Sequence, residues 1–263
     1  MNIKKIITLF LLSFTFIFAA NAQLTYELYK ASGLKKQVQL FAPTMKYQID
    51  QAKKQDATLQ NLPTEFMTKI NGLVDGAFSA KNLESTLLNY MSQRMSQRQI
   101  KEVTSWYKTP LGKKCVRLEN DASSIDALQK MGAFMQTLQS KPLTATRIKL
   151  LQKFSKVLDF DQRTKTLAID ASTVMLRAFT SSMPQEQRPT VFQIRNQIKM
   201  QMEQNQAAFD QTTFISLAFT YKNLNANEIN SYIKFVNTAA GKSFIKTSYE
   251  ALSAAITQGS KSI

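Results

Sequence analysis

Two stretches of this chain, Ser96 to Asn120 and Asn225 to Tyr249, encode the same local structure at an offset of 129 residues and align without a gap. Only Ile100/Ile229, Thr109/Thr238, Gly112/Gly241 and Lys113/Lys242 are identical between them. The agreement is mechanical. Ser96 with Gln99 forms a capping box, in which each side chain satisfies the other's free backbone N–H, and Asn225 with Glu228 forms one at the matching place. Met95 with Ile100, and Leu224 with Ile229, stand at hydrophobic-staple positions. Spacings of three and four then put Ile100, Val103, Trp106 and Tyr107 on one helical face, and Ile229, Tyr232, Phe235 and Val236 on another. Thr109 and Thr238 are placed to cap a following helix, the first with Pro110 at its opening position. Gly112 and Gly241 fall at the third position of those second helices. A helix-interior glycine costs about 1 kcal/mol relative to alanine, so the pair implies close approach of two helices at a tight corner.

The same comparison disposes of a false signal. "VNTAAGKSF", residues 236 to 244, looks like the tail of a phosphate-binding loop. Such a loop needs a glycine five residues before the Gly of Gly-Lys and a preceding strand; Val236 and an amphipathic helix stand there instead. No nucleotide is expected.

The rest of the chain reads as helix, with glycine and proline confined mostly to the joints between apolar-periodic segments. Helices are expected at 26–40, 44–54, 65–78, 83–91, 97–108, 110–138, 145–158, 162–181, 191–221, 226–237 and 239–257, with some of the longer ones broken in two. "ELYKASGLKKQ" from Glu27 resembles "KFSKVLDFDQ" from Lys153 at an offset of 126, matching Leu28 to Phe154 and Leu34 to Phe160. The expected fold class is therefore all-α, a helical bundle built from two related units. Pro142, among polar residues, marks the boundary, giving a first unit at 23–141 and a second at 142–263.

Residues 1–22 read as a signal peptide. Lys4 and Lys5 precede an apolar run, and Ala20-Asn21-Ala22 gives the small-x-small cleavage pattern. After cleavage no segment is apolar enough to span a bilayer. An exported protein is expected, in the periplasm, with the extracellular space as the alternative. Cys115 is the only cysteine, so no intramolecular disulfide forms, and it reads as a small buried hydrophobe. The absence of histidine excludes serine and cysteine triads and imidazole-based zinc sites.

The stretch "WYKTPLGKK", preceded by a capped helix, resembles the bacterial domain-of-unknown-function family 2059 on Trp106, Tyr107, Thr109, Pro110, Gly112 and Lys113. The second corner keeps Phe235, Thr238, Gly241 and Lys242 but has Val236 for tyrosine and Ala239 for proline. The resemblance implies an all-helical exported domain and no particular reaction.

A formal net charge of +16 favours anionic partners. The cations gather around the first corner, and Arg94, Arg98, Lys101, Lys108, Lys113 and Lys114 form the candidate binding face. Catalytic residues, metal ligands and cofactors are not indicated. Glu119-Asn120-Asp121 and Asp159-Phe160-Asp161 are tight acidic groupings without the rhythm of a calcium loop. The expected function is non-catalytic: an envelope protein meeting an anionic lipid, glycan or protein through the basic face, with nucleic acid disfavoured. The alternatives are a histidine-free glycan hydrolase or lyase using a lone carboxylate, and a carrier of apolar ligands. A deep cleft with one desolvated glutamate would favour the enzyme, a broad convex basic face the binder, and an internal apolar tunnel the carrier.

Overall fold

The computed structural model describes residues 22–55, 60, 64–180 and 184–259, and all regular structure among them is helical. The expected signal peptide lies, apart from Ala22, outside the described residues. Helix α1 covers 22–31. It is followed by α2 (Leu34–Gln55), α3 (Thr64–Ala77), α4 (Ala80–Arg94), α5 (Gln97–Lys108), α6 (Pro110–Ala122) and α7 (Ile125–Ser140). The second half contains α8 (Ala145–Leu158), α9 (Phe160–Thr180), α10 (Val191–Gln204), α11 (Gln206–Thr220), α12 (Ala226–Val236) and α13 (Ala239–Gly259). None of these helices is long and apolar enough to cross a membrane.

Three joints fall where apolar periodicity did not put them. The break expected before Thr44 is absent, because α2 runs through Pro43. Proline removes one ladder donor, and Pro43 is exposed, so water can take the freed carbonyl. The chain breaks instead at Gly33, whose φ of 79° suits glycine. The expected helix 110–138 divides after Ala122, where the Ser124 hydroxyl accepts from the Ala127 amide at 3.2 Å and starts α7. The expected helix 191–221 divides at Asn205, whose side-chain amide donates to the Gln201 carbonyl at 2.9 Å and competes with the helix ladder.

Both corners are built alike. Both capping boxes form, Ser96 with Gln99 and Asn225 with Glu228. The Thr109 hydroxyl donates to the Trp106 carbonyl at 2.7 Å and accepts from the Gly112 amide at 3.0 Å. Thr238 repeats this with the Phe235 carbonyl at 2.8 Å and the Gly241 amide at 2.9 Å. A Cβ on Gly112 would lie 2.2 Å from the Trp106 carbonyl oxygen, and one on Gly241 2.2 Å from that of Phe235. Neither contact can be relieved by a rotamer change, because the obstacle is backbone. The glycines are what let α6 fold back onto α5, and α13 onto α12.

One main core draws on residues both before and after 141. Leu83, Leu87, Ile100 and Val103 share it with Leu151, Phe154, Ile229 and Phe244, all nearly or fully buried. Each such side chain contributes about 1.5–3 kcal/mol of burial free energy. Trp106 lies flat on Phe235, ring centroids 4.0 Å apart and 6° from parallel, and stacks on Tyr232 at 4.7 Å. Helix α13 runs along α4 and also touches α5 and α9. A smaller core under α3 joins Ile70, Val74 and Phe78 to Val174 and Ile256.

Candidate functional site

Between α2, the end of α6, the α8–α9 joint, α11 and α13 lies a cleft of about 500 Å³. Its walls are mainly apolar, lined by Leu34, Val38 and Phe41 from α2, Leu217 from α11 and Ile245 and Leu252 from α13. Glu119 opens into it.

The helix that carries Glu119 explains its position. Gly112, Cys115 and Glu119 are spaced three and four apart, so they share one face of α6. Gly112 pins that face against α5, and Cys115 is fully buried on it. One turn later the stripe ends in a carboxylate. Its Oε1 accepts from the Tyr221 hydroxyl at 2.7 Å and from the Tyr232 hydroxyl at 2.9 Å. Among the described residues no side-chain donor reaches Oε2. Tyr107, on α5, packs against the Tyr232 hydroxyl.

Burial dominates the electrostatics. It raises the Glu119 carboxyl to about 7 from an ordinary 4.5, and the two tyrosine hydrogen bonds only partly offset this. Burial, with the Glu119 charge adding to it, pushes the phenols of Tyr221 and Tyr232 and the Cys115 thiol well above their usual ranges. The site is thus a half-buried carboxyl close to half ionised at neutral pH, held by neutral hydroxyls at the edge of an apolar space. Such a group can bind a hydrogen-bonding or cationic atom, or move a proton. Among the described residues no group of three or more potential metal ligands is present.

The sequence-derived basic face is distributed unevenly. Arg94 pairs with Glu250 of α13 and covers the Tyr90 ring at 4.3 Å. Arg98 pairs with Glu102 one turn along at 2.8 Å. Lys114 reaches both oxygens of Glu228 at 2.7 and 2.9 Å, joining the first corner to the cap of α12. Lys101, Lys108, Lys113 and Lys242 are exposed. None of these lysines and arginines lines the cleft. Of the corner residues, Trp106, Tyr107 and Phe235 pack in the main core and Gly112 and Gly241 lie against the preceding helix, while Thr109, Pro110 and Thr238 are exposed; Tyr107 also lines the cleft.

Residues 81–141 match the family model described as "Uncharacterized protein conserved in bacteria (DUF2059)". The DUF2059 resemblance therefore covers α4 to α7, including the first corner, Cys115 and Glu119. No curated protein and no solved structure matches the chain.

Glu119, Tyr221 and Tyr232, which meet at the cleft, were not among the sequence-derived site residues; Glu119 stood there only in an acidic grouping and Tyr232 only in a helical stripe. A signal for the first was present: a carboxylate extending the buried Gly112–Cys115 stripe by one turn. Nothing local to Tyr221 or Tyr232 told that two hydroxyls, from a loop and a helix far along the chain, converge on one oxygen.

Proposed function

We propose that the chain is an exported, non-catalytic binding protein of the bacterial envelope that holds an apolar small molecule in the cleft beside Glu119. The observation that carries this reading is the cleft itself: about 500 Å³, largely apolar, with one carboxyl and its tyrosines at the edge. Small-molecule sites share this character, with volumes of about 300–1,000 Å³, apolar walls and few polar groups. The amino-terminal leader pattern supports export, and a periplasmic carrier fits it best. The exposed lysines of the first corner, Lys101, Lys108 and Lys113, would hold the protein near anionic envelope surfaces.

The cleft lies between two units that we read as a duplication. Gly33 and Asp159, the positive-φ residues among those described, stand 126 residues apart, the offset of the upstream match. The corners share capping, hydroxyl bonding and the glycine contact. Trp106 stacks on Phe235, its counterpart at an offset of 129, as expected near an approximate twofold axis. Counterparts also line the cleft together: Leu34 and Phe160, Phe41 and Leu167, and Glu119 and Ser248. On this reading the ligand sits at the unit junction, and among the described lining residues only the first unit supplies a carboxyl.

The alternative of glycan cleavage draws on the raised Glu119 carboxyl, which suits a general acid. Paired-carboxylate glycosidases need a second carboxyl about 5–9.5 Å away. No other Asp or Glu is among the described residues lining the cleft, so cleavage here would rest on Glu119 alone.

The test is titration of an uncharged apolar fluorophore into the chain from Gln23 to Ile263, beside a Ser216→Trp variant that fills the cleft from α11. Saturable one-to-one binding, lost in a variant with unchanged circular dichroism, is expected. Equal binding by both proteins would remove the cleft from the account. Release of reducing ends from peptidoglycan, abolished by Glu119→Gln, would replace the carrier with the enzyme.

A further inference from the structure

The charge of the cleft runs against the charge of the protein. The chain carries 34 lysines and arginines against 18 acidic residues. Yet among the described residues lining the cleft there is no lysine or arginine, and the one ionisable carboxyl is Glu119. Aromatic rings make up much of the remaining wall: Phe41, Phe160, Phe244 and Tyr249, with Tyr107, Tyr221 and Tyr232 around the carboxylate. Ring faces carry negative electrostatic potential and attract cations, most strongly where water is excluded. A carboxylate among aromatic rings, with no cation of its own, lacks a counter-charge. An anionic lipid head would meet Glu119 as a like charge and find no positive partner.

From this juxtaposition of one unpaired carboxylate, a set of aromatic rings and an apolar cleft free of lysine and arginine, we infer that the occupant is a cationic amphiphile, a long-chain ammonium whose head sits at Glu119. The inference rests on the carrier reading above and gives it a ligand class. Oε1 is taken by two tyrosine hydroxyls, which leaves Oε2 to face the ammonium. The alkyl chain extends along Leu34, Val38 and Leu217.

Binding of such a cation is coupled to a proton. Glu119 must be ionised to pair with it, so near neutral pH binding releases the proton that the empty cleft retains. The groups facing Glu119 do not confuse this. Tyr107 on α5, Cys115 on α6, Tyr221 after α11 and Tyr232 on α12 are all pushed upward by burial and stay neutral. Tyr249 on α13 is raised to about 12. The Arg163 guanidinium lies 5.5 Å from the Tyr249 ring, and Asp159 also acts on Tyr249, but neither lines the cleft. Lys114 and Glu228 act on Cys115 and neutralise each other.

Three probes with the same chain and different heads test this by calorimetry below their micelle concentrations: dodecyltrimethylammonium, dodecanol and dodecanoate. At pH 8 the ammonium should bind at least about tenfold tighter than the alcohol, with dodecanoate weakest. Its affinity should fall by up to about a hundredfold between pH 8 and pH 5, as Glu119 takes up its proton. Titration near pH 7 in buffers of different ionisation enthalpy should show proton release. In Glu119→Gln the ratio of ammonium to alcohol affinity should collapse to about one. Ammonium binding no tighter than alcohol binding, or independent of pH in the unmutated protein, would overturn the inference while leaving the carrier reading intact. Failure of all three probes to bind would overturn both.

Discussion

Glu119 should make the protein less stable as pH rises. Its carboxyl is held at about 7 when folded against an ordinary 4.5. The folded state therefore keeps a proton that the unfolded chain releases, and stability falls with pH wherever the native state binds more protons. The stabilisation is complete below the unfolded value, declines through the interval and is gone above about 7. Linkage with these two values gives a loss of about 2–3 kcal/mol between pH 5 and pH 8. Glu119→Gln keeps an oxygen for Tyr221 and Tyr232 but cannot ionise, so it lacks this slope. Urea unfolding of both proteins, followed by far-ultraviolet circular dichroism at half-unit steps from pH 5 to 8, measures the difference. Other carboxylates titrate in both proteins and cancel. The stability of the natural chain relative to Glu119→Gln should drop by about 2–3 kcal/mol across the range. Parallel curves would mean that Glu119 is well solvated, and the electrostatic description of the cleft would be wrong.

Glycine substitutions should separate by sign. Gly112→Ala and Gly241→Ala should each cost about 2–4 kcal/mol in urea unfolding despite alanine's better helix propensity, because the new methyl meets a backbone oxygen at 2.2 Å. Gly132→Ala in α7, where nothing lies within 4 Å, should instead gain up to about 1 kcal/mol. Cys115 should resist an aromatic disulfide reagent at pH 8 in the folded protein and react within seconds in urea, since burial keeps the thiol protonated and out of reach. Lys114→Met should destabilise by about 1 kcal/mol through the loss of both contacts to Glu228, measurably more than Arg98→Met, whose exposed helical pair is worth about 0.3–0.5 kcal/mol.

What the sequence disclosed, and what it hid, follows from the range of the interactions involved. The corners were legible because every part is local: a capping box spans three residues, a helical stripe a few turns, and the meaning of Gly112 or Gly241 depends on the helix just before it. The joint at Gly33 was obscured by Pro43, a residue that normally ends helices but here faces water. Ser124 and Asn205 were hidden inside long apolar-periodic runs whose pattern continues across the break. The basic face was visible as composition, whereas the ion partners of Arg94 and Lys114 lie 156 and 114 residues away and left no mark near either residue. The cleft was the least legible feature. It exists only where α2, α6, α11 and α13 meet, and it takes Tyr221 and Tyr232, more than 100 residues beyond Glu119, to give that carboxylate its surroundings.

The central claim is that the cleft beside Glu119 is occupied by a small molecule, and native mass spectrometry of the protein isolated from its own host's envelope tests it most directly. A single adduct of discrete mass, released by denaturation and absent when the Ser216→Trp variant is isolated in the same way, is the result the account predicts. Bare protein in both preparations, with no adduct regained on adding envelope lipid extract, would contradict it.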